Sequence, residues 1–330
     1  MEFFLSFQIP PFPFSVSYKD KILFLGSCFS EEIGNKMLDL KFDVLQNPNG
    51  ILYDPQSIAD AVFTYVENKI YNEGDLFELN GLWHSWKHHS AFSGVNKNEV
   101  LQKINVSRSC AHAFLKEANF VIITLGTAFH YQLRNNNEPV ANCHKAPASF
   151  FTKQLVSIEE IKTGLLNAIT ALEVFNPGLK IIFTVSPVKH VRDGVVENNH
   201  SKARLIEVSH FLCEQKPNIF YFPSYELVTD VLRDYRFYKN DLVHPNETAV
   251  NFVFDKFCDS FLDGESKKTM EEIKRILLSV NHKPFLKQSD AHQKFVFAQI
   301  KNIDKIENVF PYINLSTEKN YFLDQLIPAN

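Results

Sequence analysis

Three stretches of this 330-residue sequence combine residue types that could do chemistry. Gly26-Ser27-Cys28-Phe29 places a hydroxyl and a thiol just after an apolar run. A nucleophile at a strand-to-helix turn is exposed, and the helix N-terminus lowers the pKa of a thiol or stabilises an oxyanion. The plainer alternative is an N-cap serine beside a buried cysteine, because Cys is among the most buried residue types. Asp241-Leu242-Val243-His244-Pro245-Asn246 offers a base and a group to orient it, which nucleophilic catalysis needs. A polar loop with Asn246 as helix cap explains the same residues. Thr124-Leu125-Gly126-Thr127 ends a second apolar run. A Gly-led loop there can present backbone N–H donors to an oxyanion, or it is an ordinary strand exit. Gly50 in Asn47-Pro48-Asn49-Gly50 carries the same pair of readings.

The elements that must position these residues alternate. Lys21–Leu25, Phe42–Leu45, Phe120–Leu125, Lys180–Val185 and Ile219–Phe222 read as strands, several of them continuous apolar runs stopped by Gly or Ser-Pro. Helical spacing follows in Ile33, Met37 and Leu40, from Asp54-Pro55 onward, over Asn98–Lys116, in Ile158 to Leu172, near His200–Cys213, and in Val250 to Phe261. Strands alternating with helices predict an α/β fold whose mainly parallel sheet is covered on both faces. In such sheets, sites form at the carboxyl ends of the strands. Residues 71 to 97 read as an irregular insertion carrying Trp83, His84, Trp86, His88 and His89. Phe129–Leu133 and Pro139–Cys143 read as a hairpin. After Gly264 the strand pattern stops. Met270 to Val280 and residues 290 to 307 suit helices, so residues 265–330 read as a helical appendage to a domain spanning 1–264.

Composition narrows the classes. The 34 basic and 38 acidic residues leave a net charge of −4, which gives no reason to expect nucleic acid or an anionic membrane as partner. No stretch approaches the roughly 18 apolar residues of a membrane span. Met1–Val16 lacks a basic start and is broken by Pro10, Pro11 and Pro13, so it reads poorly as a signal peptide. Cys28, Cys110, Cys143, Cys213 and Cys258 are odd in number and none lie close together, which argues against a disulfide framework or a CxxC metal site. A cytoplasmic protein with reduced thiols is the expectation. His88-His89 is no metal signature either, because neighbours on a strand point apart.

Taken together, the early nucleophile turn, the two middle Gly loops and the late Asp-x-x-His-Pro resemble SGNH hydrolases. More narrowly the chain resembles the GSCFA family, named for Gly-Ser-Cys-Phe-Ala, with Ser30 in place of the final Ala. Further matches are Asn47-Pro48-Asn49-Gly50, Leu125-Gly126-Thr127-Ala128, Asn142-Cys143-His144-Lys145-Ala146-Pro147, Ser186-Pro187-Val188 and Asp241 to Asn246, and Asp193-Gly194 and Ser201-Lys202-Ala203 also resemble family segments. They span about residues 21 to 262 and leave the tail uncovered. The resemblance implies a three-layer, flavodoxin-like α/β fold and a hydrolase or acyl-transfer chemistry; it defines no substrate, and an acylated carbohydrate or small ester is the expectation.

The usual SGNH turn is Gly-Asp-Ser. Aligned without a gap, Cys28 takes the serine's place and Ser27 the aspartate's. Cys28 is then the better nucleophile, and Ser27 serves if the turn is shifted by one. His244 would act as general base and Asp241 would orient it. SGNH enzymes place an oxyanion-binding Asn after the third-block Gly, where this chain has Thr127. Asn142 or Asn49 are the stand-ins, beside the backbone N–H groups of residue 28, Gly50 and Gly126. His144 and Lys145 are candidate substrate contacts, Lys145 for an anionic group such as a CoA phosphate or a sugar acid. Polar contacts stabilising a hairpin are the preferred reading of both. No metal or bound cofactor is required. Three other functions fit the same residues: an acyl-CoA-dependent glycan O-acyltransferase, a thioesterase, and a non-catalytic glycan-binding module that kept the fold.

Overall fold

A computed structural model describes residues 5–282 and 284–326. The first four residues of the Met1–Val16 stretch, and 283 and 327–330 of the expected appendage, lie outside the described residues. The chain divides into two units: Met1–Ile9, Lys21–Asn35 and Val44–Lys256 make one, and Pro10–Asp20, Lys36–Asp43 and Phe257–Asn330 the other.

In the first unit, apolar runs become the central strands. The order begins β1 (Lys21–Gly26), α1 (Cys28–Asp39), β2 (Asp43–Gln46) and α2 (Pro55–Val66). Asp54 caps α2 by accepting from the Ser57 N–H at 3.0 Å, with Pro55 at the first helical position. The expected insertion contains a small antiparallel hairpin, β3 (Phe77–Leu79) with β4 (Leu82–His84). His88 and His89 sit in a turn beyond it rather than on a strand. Next come α3 (Lys97–Glu117), β5 (Phe120–Leu125), β6 (Phe129–Leu133), β7 (Pro139–Val140) and β8 (Phe151–Leu155). The last three form an antiparallel sheet in the order β7-β6-β8. The expected hairpin is present, but β8 was not foreseen, because its middle residues Thr152, Lys153 and Gln154 are exposed and show no apolar alternation. The unit continues with α4 (Ile158–Phe175), β9 (Lys180–Val185), α5 (Val195–Gln215), β10 (Ile219–Tyr221), the short α6 (Ser224–Glu226) running into a π-helical turn at Leu227–Leu232, and α7 (Glu247–Phe261), which passes into the second unit.

The main sheet runs β10-β9-β5-β1-β2, and β1–β5, β5–β9 and β9–β10 all pair in parallel. Counting only these five strands in chain order gives 2-1-3-4-5, the flavodoxin-like order. On one face Leu23, Leu25, Val121, Ile123, Ile181 and Phe183 pack with residues of α2, α3, α4 and α5. The alternate residues Ile22, Phe24, Ile122 and Ile182 are buried too, so both faces are covered. Gly26 pairs with Thr124 and Leu125 with Val185. The ends of β1, β5 and β9 therefore lie side by side, and the switch point of the sheet falls between β1 and β5.

The second unit is assembled from three stretches. Val16 bridges to Leu262 in parallel, its N–H donating to Phe261 O at 2.6 Å, and Phe12 stacks on the Phe261 ring at 4.2 Å. Tyr18 stacks on Phe42 and donates to Leu40 O. The expected C-terminal helices are present as α8 (Gly264–Val280) and α9 (Asp290–Val309), followed by α10 (Ser316–Leu323). Lys41 pairs with the nearly buried Glu318 of α10 at 2.7 Å. Among the described residues, no helix is long and apolar enough to cross a membrane.

Candidate active site

The first candidate turn is built by a glycine that no other residue could replace. Gly26 has φ +128°, and a Cβ there would lie 2.1 Å from Thr124 O. The turn is pinned on both sides: Ser27 N–H donates to Thr124 O at 3.2 Å, and Asn47 Oδ1 accepts from Gly26 N–H at 2.9 Å. The two candidate nucleophiles separate here. Ser27 is fully buried, and among the described residues its Oγ finds no hydrogen-bond partner. Cys28 opens α1 and is partly exposed. Burial pushes its thiol up, and Glu31 and Glu32 add to this. The backbone N–H groups of Cys28 and Phe29 pull it down. The net shift is upward, so Cys28 is a thiol at neutral pH.

The second motif forms a hydrogen-bonded pair. Asp241 Oδ2 is 2.7 Å from His244 Nδ1, and Asp241 Oδ1 accepts from the N–H groups of Val243 and His244 at 2.9 and 3.0 Å. These contacts, the His244 backbone N–H foremost, hold the Asp241 carboxyl well below its ordinary range. Nδ1–H donating to a carboxylate leaves Nε2 as the open acceptor. The side chains are 42% and 48% exposed, so substrate could reach them. The loop is fixed by its backbone. Lys239 N–H donates to His244 O at 2.7 Å, Lys189 N–H donates to Val243 O at 3.2 Å, and Lys239 Nζ lies 3.4 Å from Glu32 Oε1 in α1. His244 is thereby held against the loop after β9 and near the start of α1. No hydrogen bond joins it to Cys28 among the described residues. Asn246 caps α7 as the plainer reading had it, accepting from Ala249 N–H at 3.1 Å.

The residues expected to hold an oxyanion are engaged elsewhere. Gly50 N–H donates to Asn47 O at 2.6 Å, and the Gly126 and Thr127 N–H groups both donate to Tyr53 O, at 2.8 and 3.0 Å. Each of these amides thus already has a main-chain acceptor. The Thr127 hydroxyl faces Ser201 Oγ at 3.1 Å. Asn49 is buried, donating to Lys87 O and accepting from the Tyr65 hydroxyl. Asn142 Oδ1 accepts from His144 N–H. His144 is buried beside His84 and Trp86, with Nε2 2.9 Å from Ser85 O, and burial drives it down to about 4. Asn49, Asn142 and His144 thus hold the aromatic insertion and the hairpin in shape, while Lys145 is exposed.

Three further residues, Lys202, His190 and Tyr53, lie around the ends of β5 and β9. Lys202 of α5 is 1% exposed, and its Nζ donates to Gly126 O at 2.6 Å and to Ser186 O at 2.7 Å, bridging the ends of β5 and β9. Burial lowers it to about 7, with Cys28 near enough to act in the other direction. His190 follows β9; burial, then Lys202 and His244, bring it down to about 3. Its ring meets Tyr53 edge-on, with centroids 5.5 Å apart. Burial, then Cys28 and Glu31, raise the Tyr53 hydroxyl to about 12. Lys202 left one signal in the sequence. Asn198, Ser201, Leu205, Val208, Ser209 and Leu212 form the buried stripe of α5, and Lys202 falls inside it. Among the described residues, no group of three or more His, Cys, Asp or Glu is gathered to hold a metal. Among the described residues, no disulfide joins two of the cysteines.

Comparison with known proteins adds a family. The model of the GSCFA family matches residues 21–257, and that of the GSCFA domain protein, C-terminal domain, matches residues 273–328. No curated protein matches the chain. Among solved structures it is similar to the psychrotrophic esterase EstA from Pseudoalteromonas sp., at 15% identity over 73% of this chain and 96% of that one, with a TM-score of 0.31. It is also similar to the acetyl xylan esterase Est2A from the rumen bacterium Butyrivibrio proteoclasticus. That match has 9% identity over 74% of this chain and 64% of that one, with a TM-score of 0.38.

Proposed function

The chain belongs to the GSCFA family, and we propose that it is an ester hydrolase or acyl-transfer enzyme with Cys28 as nucleophile and the Asp241–His244 pair as its proton carrier. The observation that carries this reading is the contrast at the β1 turn. Ser27 is sealed in, whereas Cys28 is partly exposed on the first turn of α1, at the switch point of the sheet, with two helix N-terminal amides beside its sulfur. Sγ passes its proton to His244 Nε2 and attacks the ester carbonyl, and the C–O bond to the leaving alkoxide breaks. His244 gives that oxygen a proton, held in the right tautomer by Asp241. The acyl group rests on Cys28 as a thioester. Water then attacks it, His244 takes the water's proton, and the thiol is released. In a transferase the acceptor's hydroxyl replaces water. The N–H of Cys28 is the donor best placed for the oxyanion, since those of Gly50, Gly126 and Thr127 are engaged. The substrate class that fits is an acylated carbohydrate or other small ester.

The test is intact-protein mass spectrometry after mixing with p-nitrophenyl acetate, with Cys28→Ala and Ser27→Ala in parallel. An acetyl adduct that disappears only in Cys28→Ala supports the reading. An adduct lost only in Ser27→Ala moves the nucleophile by one residue. A folded protein that forms no adduct and releases no nitrophenol overturns it.

A further inference from the structure

A buried ammonium without a carboxylate is costly, and Lys202 is one: it is 1% exposed, and among the described residues no acidic side chain pairs with it. Two backbone carbonyls hold it instead. Their placement is specific. Gly126 O and Ser186 O belong to the residues just past β5 and β9. The Cys28 turn is tied to the same end of β5, through Ser27 N–H on Thr124 O. The stereochemistry of nitrogen then matters. Cε and the two hydrogens given to Gly126 O and Ser186 O take three of its four positions. The fourth is a third N–H in the ammonium and a lone pair in the amine. Both carbonyls stay satisfied in either state, so this lysine can change protonation without breaking its anchorage.

We propose that Lys202 is the proton acceptor for Cys28: as a neutral amine it takes the Sγ proton. The S–H bond breaks, an N–H bond forms, and a thiolate and an ammonium remain at the ends of β1 and β5. This deepens the reading of Cys28 as nucleophile and rests on it. Cys28 needs such a base, because burial keeps it a thiol. A base that titrates near neutrality is the effective kind, and Lys202 lies at about 7. The other titratable groups around the pair do not compete for that proton. His190 and Tyr53 are buried in their neutral forms, and Glu31 and Glu32 on α1 disfavour the thiolate. The proton taken up by Lys202 is handed on through His244 to the leaving oxygen, and His244 then takes the proton of the attacking water.

The experiment is peptide-level mass spectrometry of iodoacetamide labelling between pH 5.5 and 10. It follows Cys28 in the wild-type protein, in Lys202→Met and in Lys202→Gln, whose amide can still donate to the carbonyls. Exposed Cys110 is the internal standard. The expected wild-type result is a Cys28 labelling midpoint near neutrality, below that of Cys110. In a folded Lys202 variant, labelling at pH 7.5 falls by about tenfold or more and the midpoint moves above that of Cys110, while Cys110 is unchanged. A Cys28 midpoint above that of Cys110 in the wild-type protein overturns the proposal even if neither variant folds. So does an unchanged Cys28 profile in a folded variant. Labelling is independent of ester turnover. A failure here beside an acetyl-Cys28 adduct would return the thiol proton to His244 and leave the esterase reading standing.

Discussion

Asp241 uses both carboxylate oxygens on one residue: Oδ2 meets His244 Nδ1 at 2.7 Å while Oδ1 accepts from the His244 backbone N–H at 3.0 Å. The imidazole is thus oriented from its side chain and its main chain at once. His244→Ala is expected to lower the rate of nitrophenol release by about 10²- to 10⁴-fold, the usual range for a general acid–base group. Asp241→Asn is expected to lower it less and to leave the fold intact, because both side chains are about half exposed. Steady-state kinetics with circular dichroism as fold control check this. Full turnover in His244→Ala would remove the pair from the mechanism.

Gly26→Ala is expected to destabilise the first unit by about 3 kcal/mol or more. It combines a left-handed backbone with a 2.1 Å approach to Thr124 O. A main-chain oxygen in a central strand cannot step aside. Urea unfolding measures the loss. A midpoint unchanged from wild type would mean that the turn at the end of β1 relaxes in a way this geometry does not allow.

Acid is expected to destabilise the protein between about pH 6.5 and 4. Burial lowers His88 to about 3, His144 to about 4 and His190 to about 3. An unfolded histidine titrates near 6.5. Below that pH the unfolded chain binds protons that the folded chain refuses, so stability is fully present above about 6.5 and is lost as pH falls towards the folded values. Each such histidine adds a slope of up to about 1.4 kcal/mol per pH unit. Urea midpoints measured at pH 7, 6, 5 and 4.5 should fall in step. His190→Gln should flatten the decline, and an identical decline in that variant would remove His190 from the account.

The parts of the fold that were legible are those whose signal is local. β5 and β9 fall on their expected residues because short, mainly apolar runs stopped by Gly126 or by Ser186-Pro187 leave few other readings. β8 was not legible because its exposed middle carries no alternation. α10 was missed because Ser316–Leu323 has almost no apolar stripe of its own. At the site, the Cys28 turn and the Asp241–His244 pair could be named from residue type and spacing. The engagement of Asn49 with Tyr65 and Lys87, and of the Gly126 amide with Tyr53 O, could not, because those partners are distant in sequence. Lys202 was hidden for another reason. A lysine on a helix ordinarily marks the wet face, and only its position among Asn198, Ser201 and Leu205 says otherwise.

The second unit has a consequence for how the chain is made. Val16 is hydrogen-bonded to Phe261 O and to Asp263 N–H, and bridges to Leu262. On a ribosome the N-terminal stretch emerges first and then waits, its partners unsynthesised, until nearly the whole of the first unit has followed. Closure of so long a loop is entropically slow. Until Phe261 is made, Phe12 and Phe14 are apolar surface without the ring they pack on in the folded chain, the kind of surface a chaperone shields.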